Sequence, residues 1–93
     1  MAGEAAAYGG SPEALARAKQ LAALIDGVVA RLPENQRDAY VLIREEGLST
    51  ADAGRVLGAT PTAVKLRAHR AYEAIRAALR AAGVAEAAPE DAP

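Results

Sequence analysis

Large apolar residues fall into four groups separated by proline, glycine or hydroxyl punctuation, and within each group they repeat at helical rather than strand spacing. In the first, Leu15, Leu21, Leu24, Ile25, Val28, Val29 and Leu32 mark the apolar face of a helix over about 12–31. Ser11 opens it as N-cap, and Pro12 suits the first helical position because its missing N–H would be unpaired there anyway. Pro33 ends that helix and starts a second, running to about Glu46, with Glu34 at the positive end of its dipole. Gly47 supplies a C-cap able to take positive φ, and Leu48 folds back toward the core. A third helix, about 50–57, lies between the N-cap Ser49 and the terminator Gly58, with Asp52 as the acidic half of an imperfect capping box. Thr60 and Pro61 repeat the cap-and-proline start, and the longest helix runs from there to about Ala82, before Gly83. On it Val64, Ala68, Ala71, Ile75 and Leu79 recur at steps of four, three, four and four, which defines a stripe to be buried.

The pattern predicts an all-α fold, a small four-helix domain over residues 11–82. Residues 1–10 read as a flexible leader or the end of a linker, and the acidic, proline-rich residues 83–93 as a disordered tail. The third and fourth helices are unequal in length and joined by the short turn "LGAT", the pattern of a helix-turn-helix over about 49–80. Gly54 stands in the middle of the third helix, where it costs about 1 kcal/mol relative to alanine. Close passage of the next helix's backbone accounts for it, with Ala53 and Leu57 facing the core.

Composition narrows this picture. Ninety-three residues suffice for one modest core; alanine dominates the 52% hydrophobic content, and phenylalanine and tryptophan are absent, so the core is thin. With no cysteine and one histidine, disulfides, a zinc site and a thiol nucleophile are excluded, and no cofactor is expected. The acids Glu45 and Glu46 beside Arg44 read as solvated surface, and nothing resembles a paired-carboxylate active site, so the chain is read as a non-enzyme. No apolar run approaches the roughly 20 residues that span a bilayer, and the start of the chain lacks the basic and apolar regions of a signal peptide. The expected setting is cytoplasmic, without membrane insertion.

Charge changes the picture most. The formal net charge of −1 hides five Lys and Arg residues against one acid, Glu73, in residues 60–80. A positive segment concentrated on one helix is the electrostatic footprint of a polyanion binder. At roughly 100° per residue, Lys65, His69, Tyr72, Arg76 and Arg80 share a face, while Leu66 and Arg70 lie nearly opposite Val64. The N-terminal half of such a helix enters the DNA major groove, which places Thr62, Lys65, Leu66, His69 and Arg70 to meet base edges and phosphates. Leu66, otherwise misplaced among charges, packs on a thymine methyl in this reading, against the plainer one of an incidental exposed leucine. Arg67, at the edge of the stripe, either pairs with an acid of the second helix such as Asp38 or touches phosphate. His69 is a DNA contact or a bystander, and Tyr72 a rim residue packing against the first helix.

The stretch "LPENQRDAYVLIREEGLSTADAGRVLGATPTAVKLRAHRAYEAIRAAL", Leu32 to Leu79, resembles region 4 of bacterial sigma factors, in particular of the extracytoplasmic-function (ECF) group. The elements "LP", "QR", "EGLS", "LG", "VK" and "HRA" agree in order and spacing. The resemblance implies a helix-turn-helix domain of the winged-helix-like, sigma region 4 type, recognising the promoter minus-35 element through its last helix. Lys65, Leu66, His69 and Arg70 then approach DNA. Apart from the resemblance, Thr60, Thr62, Arg67 and Arg44 complete the candidate DNA contacts. The resemblance also implies contact with the β-subunit flap of RNA polymerase, and an anti-sigma factor as a further partner. Asp52, Ala53, Gly54 and Ala68 depart from the usual Glu, Ile, Ala and larger apolar residue, thinning the core without altering its pattern. An arginine that the family often carries toward phosphate aligns with Ile43, one step around from Arg44, and the aromatic-rich, promoter-melting region 2 has no counterpart in these residues. A monomer is expected. Two other readings stay open: a helical protein-interaction module, and a helix-turn-helix of response-regulator type, which would require a dimer surface.

Overall fold

A computed structural model describes residues 11–84. The four helices appear where the apolar pattern places them: α1 (Pro12–Arg31), α2 (Glu34–Tyr40), α3 (Thr50–Leu57) and α4 (Pro61–Ala81). All three hydroxyl caps form. Ser11, Ser49 and Thr60 accept through their side-chain oxygens from the amides of Ala14, Asp52 and Ala63 at 3.2, 3.0 and 3.1 Å. Each satisfies one of the amides that a helix start leaves orphaned. The capping box at α3 stays half-made, because the Asp52 carboxylate accepts from the Arg55 guanidinium instead of reaching back to Ser49.

One element differs in kind from its expectation. The second helix does not continue as an α-helix to Glu46; beyond Tyr40 it widens into a π-helical turn, Val41–Glu45. The Glu46 amide donates to Val41 O at 2.9 Å, and the Leu48 amide closes the turn on Leu42 O at 2.9 Å, past Gly47 at φ +77°. The wider turn holds successive side chains closer in angle, so that the neighbours Leu42 and Ile43 both lean on the core.

The core has two parts, both built on α4. Ala39 of α2, Ala53 of α3 and Val64 and Ala68 of α4 form the first, sealed by Leu42, Ile43, Leu48, Leu57, Ala59 and Tyr72. Val28 of α1 with Ile75 and Leu79 of α4 forms the second. The predicted stripe Val64, Ala68, Ala71, Ile75 and Leu79 is the buried face of α4, residue for residue. Three of the fully buried positions are alanines, Ala39, Ala53 and Ala71, so helices meet nearly backbone to backbone and Val64 is the largest fully buried side chain.

The apolar face of α1 is only half used. Val28 and Leu32 are buried, whereas Leu15 and Leu21 keep 49% and 37% of their surface. α1 packs against the C-terminal part of α4, and a 20-residue helix is about 30 Å long, so its N-terminal half extends past the element that would cover it. The composition-based tail boundary at residue 83 also shifts: the Val84 amide donates to Leu79 O at 2.8 Å and its side chain packs on the second core. The leader (residues 1–10) and the rest of the tail (85–93) lie outside the described residues.

Candidate nucleic-acid interface

The turn between α3 and α4 is held by one residue's carbonyl. Gly58, in the left-handed region at φ +67°, ends α3, and the amides of Gly58 and Ala59 both donate to Gly54 O, the latter at 3.0 Å. A Cβ on Gly54 would lie 2.5 Å from Ala59 O. The glycine therefore answers a close approach, as expected, but what comes close is the turn itself rather than the next helix. Thr60 then caps α4 and Pro61 starts it, so the axis of α4 is set within four residues of the end of α3.

With the stripe buried, the remaining faces of α4 are determined. Thr62, Lys65, Leu66, His69 and Arg70 are all exposed on its N-terminal half, Leu66 at 50%. No acid lies in the first turn of α4, so the positive end of the dipole is left unneutralised beside Lys65. Arg80 is exposed farther along, and Arg76 is half-buried. The exposed surface offers cationic donors to phosphate, a histidine and a threonine to base edges, and one apolar side chain. Chemically it is equipped to read a polyanion, and among the described residues no cluster of His, Asp and Glu can hold a metal ion.

The other predicted contacts divide. Thr60 is exposed at the helix start, but its hydroxyl oxygen is occupied as the cap. Arg67 is half-buried and shares a surface cleft with Pro33, Glu34, Asn35, Asp38 and Leu57, close to acids of α2 and off the exposed face. Arg44 is exposed, and its guanidinium stands over the Tyr72 ring, 5.8 Å from the centroid. Ile43 faces the core, and the π turn carries Arg44 across to α4. Tyr72 is not a rim residue against α1. Its ring meets Tyr40 of α2 edge-on at 5.8 Å and 75°, and it seals the first core. Burial pushes the Tyr40 phenol above its ordinary 10.0, with Arg44 pulling the other way.

Two side chains that set the site's geometry escaped sequence reasoning. Arg37 donates to Leu32 O at 2.9 Å and Ala30 O at 3.4 Å, tying the end of α1 to the start of α2. This satisfies carbonyls that a helix end leaves free, but its partners are unmarked main-chain atoms and carry no sequence signal. Glu73 lies 3.2 Å from His69 Nε2 through its Oε2. Its i, i+4 spacing was the available signal.

Residues 22–75 match the family model described as "Sigma-70, region 4", which covers more than half of the chain. The chain is 41% identical over 66 residues to the ECF RNA polymerase sigma factor ShbA of Streptomyces griseus, covering 71% of this chain and 35% of that protein. It is 42% identical over 53 residues to the RNA polymerase sigma factor CarQ of Myxococcus xanthus, covering 57% and 30%. A third relative, the ECF RNA polymerase sigma factor EcfG of Rhodopseudomonas palustris, is 33% identical over 61 residues, covering 66% and 34%. The chain thus matches about a third of the length of these curated relatives. The matched segment runs from the middle of α1 through the turn and most of α4, the elements that build the exposed basic surface. This chain belongs to the sigma-70 region 4 family.

Proposed function

We propose that this domain binds the minus-35 element of promoter DNA through α4 and helps place RNA polymerase for transcription initiation. The observation that carries the reading is the exposed set Thr62, Lys65, Leu66, His69 and Arg70 on the N-terminal half of α4, opposite a fully buried stripe. The names of the relatives, RNA polymerase sigma factors, supply the process. Lys65 and Arg70 take phosphates, Leu66 a thymine methyl and His69 a base edge; Thr60 and Arg44 stand at the margins, where they add phosphate contacts, while Arg67 stays in the cleft beside Asp38. With about four to six phosphates neutralised, affinity falls roughly a hundred- to a thousandfold between low and near-physiological salt. Promoter choice then depends on tethering to polymerase, because a single module gains little specificity alone.

The test is binding of the chain to a labelled minus-35 duplex over a salt series. Lys65→Ala weakens binding to all sequences and lowers the salt slope by about one. Absence of salt-sensitive binding, together with unchanged transcription from a full-length factor carrying Lys65→Ala and Arg70→Ala, would end this reading.

A second surface supports a protein partner. Ala14, Ala18, Leu21 and Leu24 of α1 form an apolar groove with Ala82 and Val84, and Leu21 there is exposed. In this reading the β-subunit flap of polymerase, or an anti-sigma factor, covers that groove. Leu21→Asp then reduces capture of the flap and leaves DNA affinity intact, while reversing the charges of Lys65 and Arg70 does the opposite. A domain that served protein interaction alone would tolerate the charge reversal in transcription. The domain acts as a cytoplasmic monomer, and a sedimenting dimer would favour the response-regulator type instead.

A further inference from the structure

The single acid of α4 stands where an acid is least expected. At roughly 100° per residue, Glu73 falls between His69 and Leu66 around the helix, in the middle of the exposed basic face. A carboxylate there repels phosphate and lowers affinity for every sequence. Its Oε2 lies 3.2 Å from His69 Nε2, one helical turn earlier, and both side chains are more than half exposed. An ionised carboxylate only accepts, so a hydrogen bond closed across that distance puts the hydrogen on Nε2 and, in the neutral ring, leaves the other nitrogen, Nδ1, as an acceptor. In the major groove an acceptor finds donors at adenine N6 and cytosine N4, and lone pairs at guanine O6 and N7 and at thymine O4.

We propose that Glu73 is a positioning residue for base choice: it holds His69 so that the ring offers an acceptor to the groove and selects adenine or cytosine at one position. This rests on the DNA-reading role of α4. The neighbours of His69 reinforce the assignment. Lys65, Thr50, Ile43 and Tyr72 line the hollow beside it, and Lys65, the one full charge among them, can only donate. Thr50 and Tyr72 carry hydroxyls, but the acceptor that lies 3.2 Å from Nε2 is the Glu73 carboxylate. His69 is the only histidine in the chain, so its substitution isolates the effect.

The test uses the full chain and a pool of duplexes with a randomised window, sequenced before and after binding. The wild type selects adenine or cytosine over guanine or thymine at one position by about two- to tenfold, the range of one net hydrogen bond. His69→Ala abolishes that preference. Glu73→Ala flattens it at the same position while tightening binding to all sequences, since a repulsive charge is gone. Glu73→Gln, whose amide oxygen accepts the same N–H, retains it, which a purely electrostatic role would not allow. In the His69→Ala background, Glu73→Ala changes only overall affinity. An undiminished preference in Glu73→Ala overturns the proposal. So does a cytosine preference that survives His69→Ala and disappears with Glu73, because Glu73 would then read the base itself. No salt-sensitive binding by the wild type would defeat the DNA-reading role as well, whereas salt-sensitive binding with an unchanged preference defeats this proposal alone.

Discussion

Replacing Gly54 by alanine sets two effects of opposite sign against each other at the joint that aims α4. Propensity favours the change by about 1 kcal/mol, since alanine is the better residue in a helix interior. Packing opposes it, because the new Cβ would sit 2.5 Å from Ala59 O and 3.6 Å from the Thr60 carbonyl carbon. The first distance is several tenths of an ångström inside van der Waals contact, and the obstructing atom is main chain, not the end of a flexible side chain. The turn cannot simply step back, because the amides of Gly58 and Ala59 are bonded to the carbonyl of Gly54 itself. Overpacking against rigid surroundings costs about 1–3 kcal/mol. Set against the propensity gain, the net is a destabilisation of up to about 2 kcal/mol, or a drop in Tm of several degrees for a domain this small. Thermal and urea unfolding followed by far-ultraviolet circular dichroism measure it. Ala51→Gly, at an exposed position of the same helix, calibrates the propensity effect separately. If Gly54→Ala raised Tm by the amount Ala51→Gly lowers it, the turn would be compliant and the close approach would not explain the glycine. A displaced turn also tilts α4, so DNA affinity should fall at temperatures where the variant is still folded.

Leu66→Ala should leave stability within about 0.5 kcal/mol, because the side chain is already 50% exposed. It should weaken one thymine preference in a binding-site selection and leave non-specific affinity nearly unchanged; a uniform loss across sequences would contradict the methyl contact. Thr60→Ala strands the Ala63 amide and should cost about 1 kcal/mol in urea unfolding, with Thr60→Ser recovering most of it. Failure of serine to restore stability would mean that the threonine methyl matters more than the cap. Burial raises the Tyr40 phenol above 10.0, so its contribution to stability is complete below that pH and declines as pH rises through the folded-state value. An ultraviolet phenolate titration, compared with Tyr40→Phe, should show one phenol titrating late, and a Tyr40 midpoint at or below 10.0 would contradict its burial.

Much of this molecule was legible before folding because its signals are local. Ser11, Ser49 and Thr60 cap where they stand, since an N-cap needs only its own oxygen and an amide three residues on. The Val64-to-Leu79 stripe is the buried face of α4, because one apolar face per helix can be read from period alone. Knowing that face also identifies its opposite, so the exposed basic set followed from the same residues. What period could not convey is how far each helix is covered. Leu15 and Leu21 repeat at the same spacing as Val28, yet they lie exposed because α4 does not extend beside them. The π turn at Val41–Glu45 was equally silent, since its residues are ordinary helix and strand formers and Leu42 and Ile43 come to pack on the same core only in the folded molecule. It brings Arg44 over Tyr72, and Tyr72 against Tyr40, contacts between residues about thirty apart along the chain. Sequence by itself determined the helices, their caps, and which side of α4 is wet and positive, because each depends on neighbours within about four residues. The tertiary structure decided the reach of the core, the joint at Gly54 and the partners of Arg37, Arg44 and Tyr72, because these depend on where one backbone passes another.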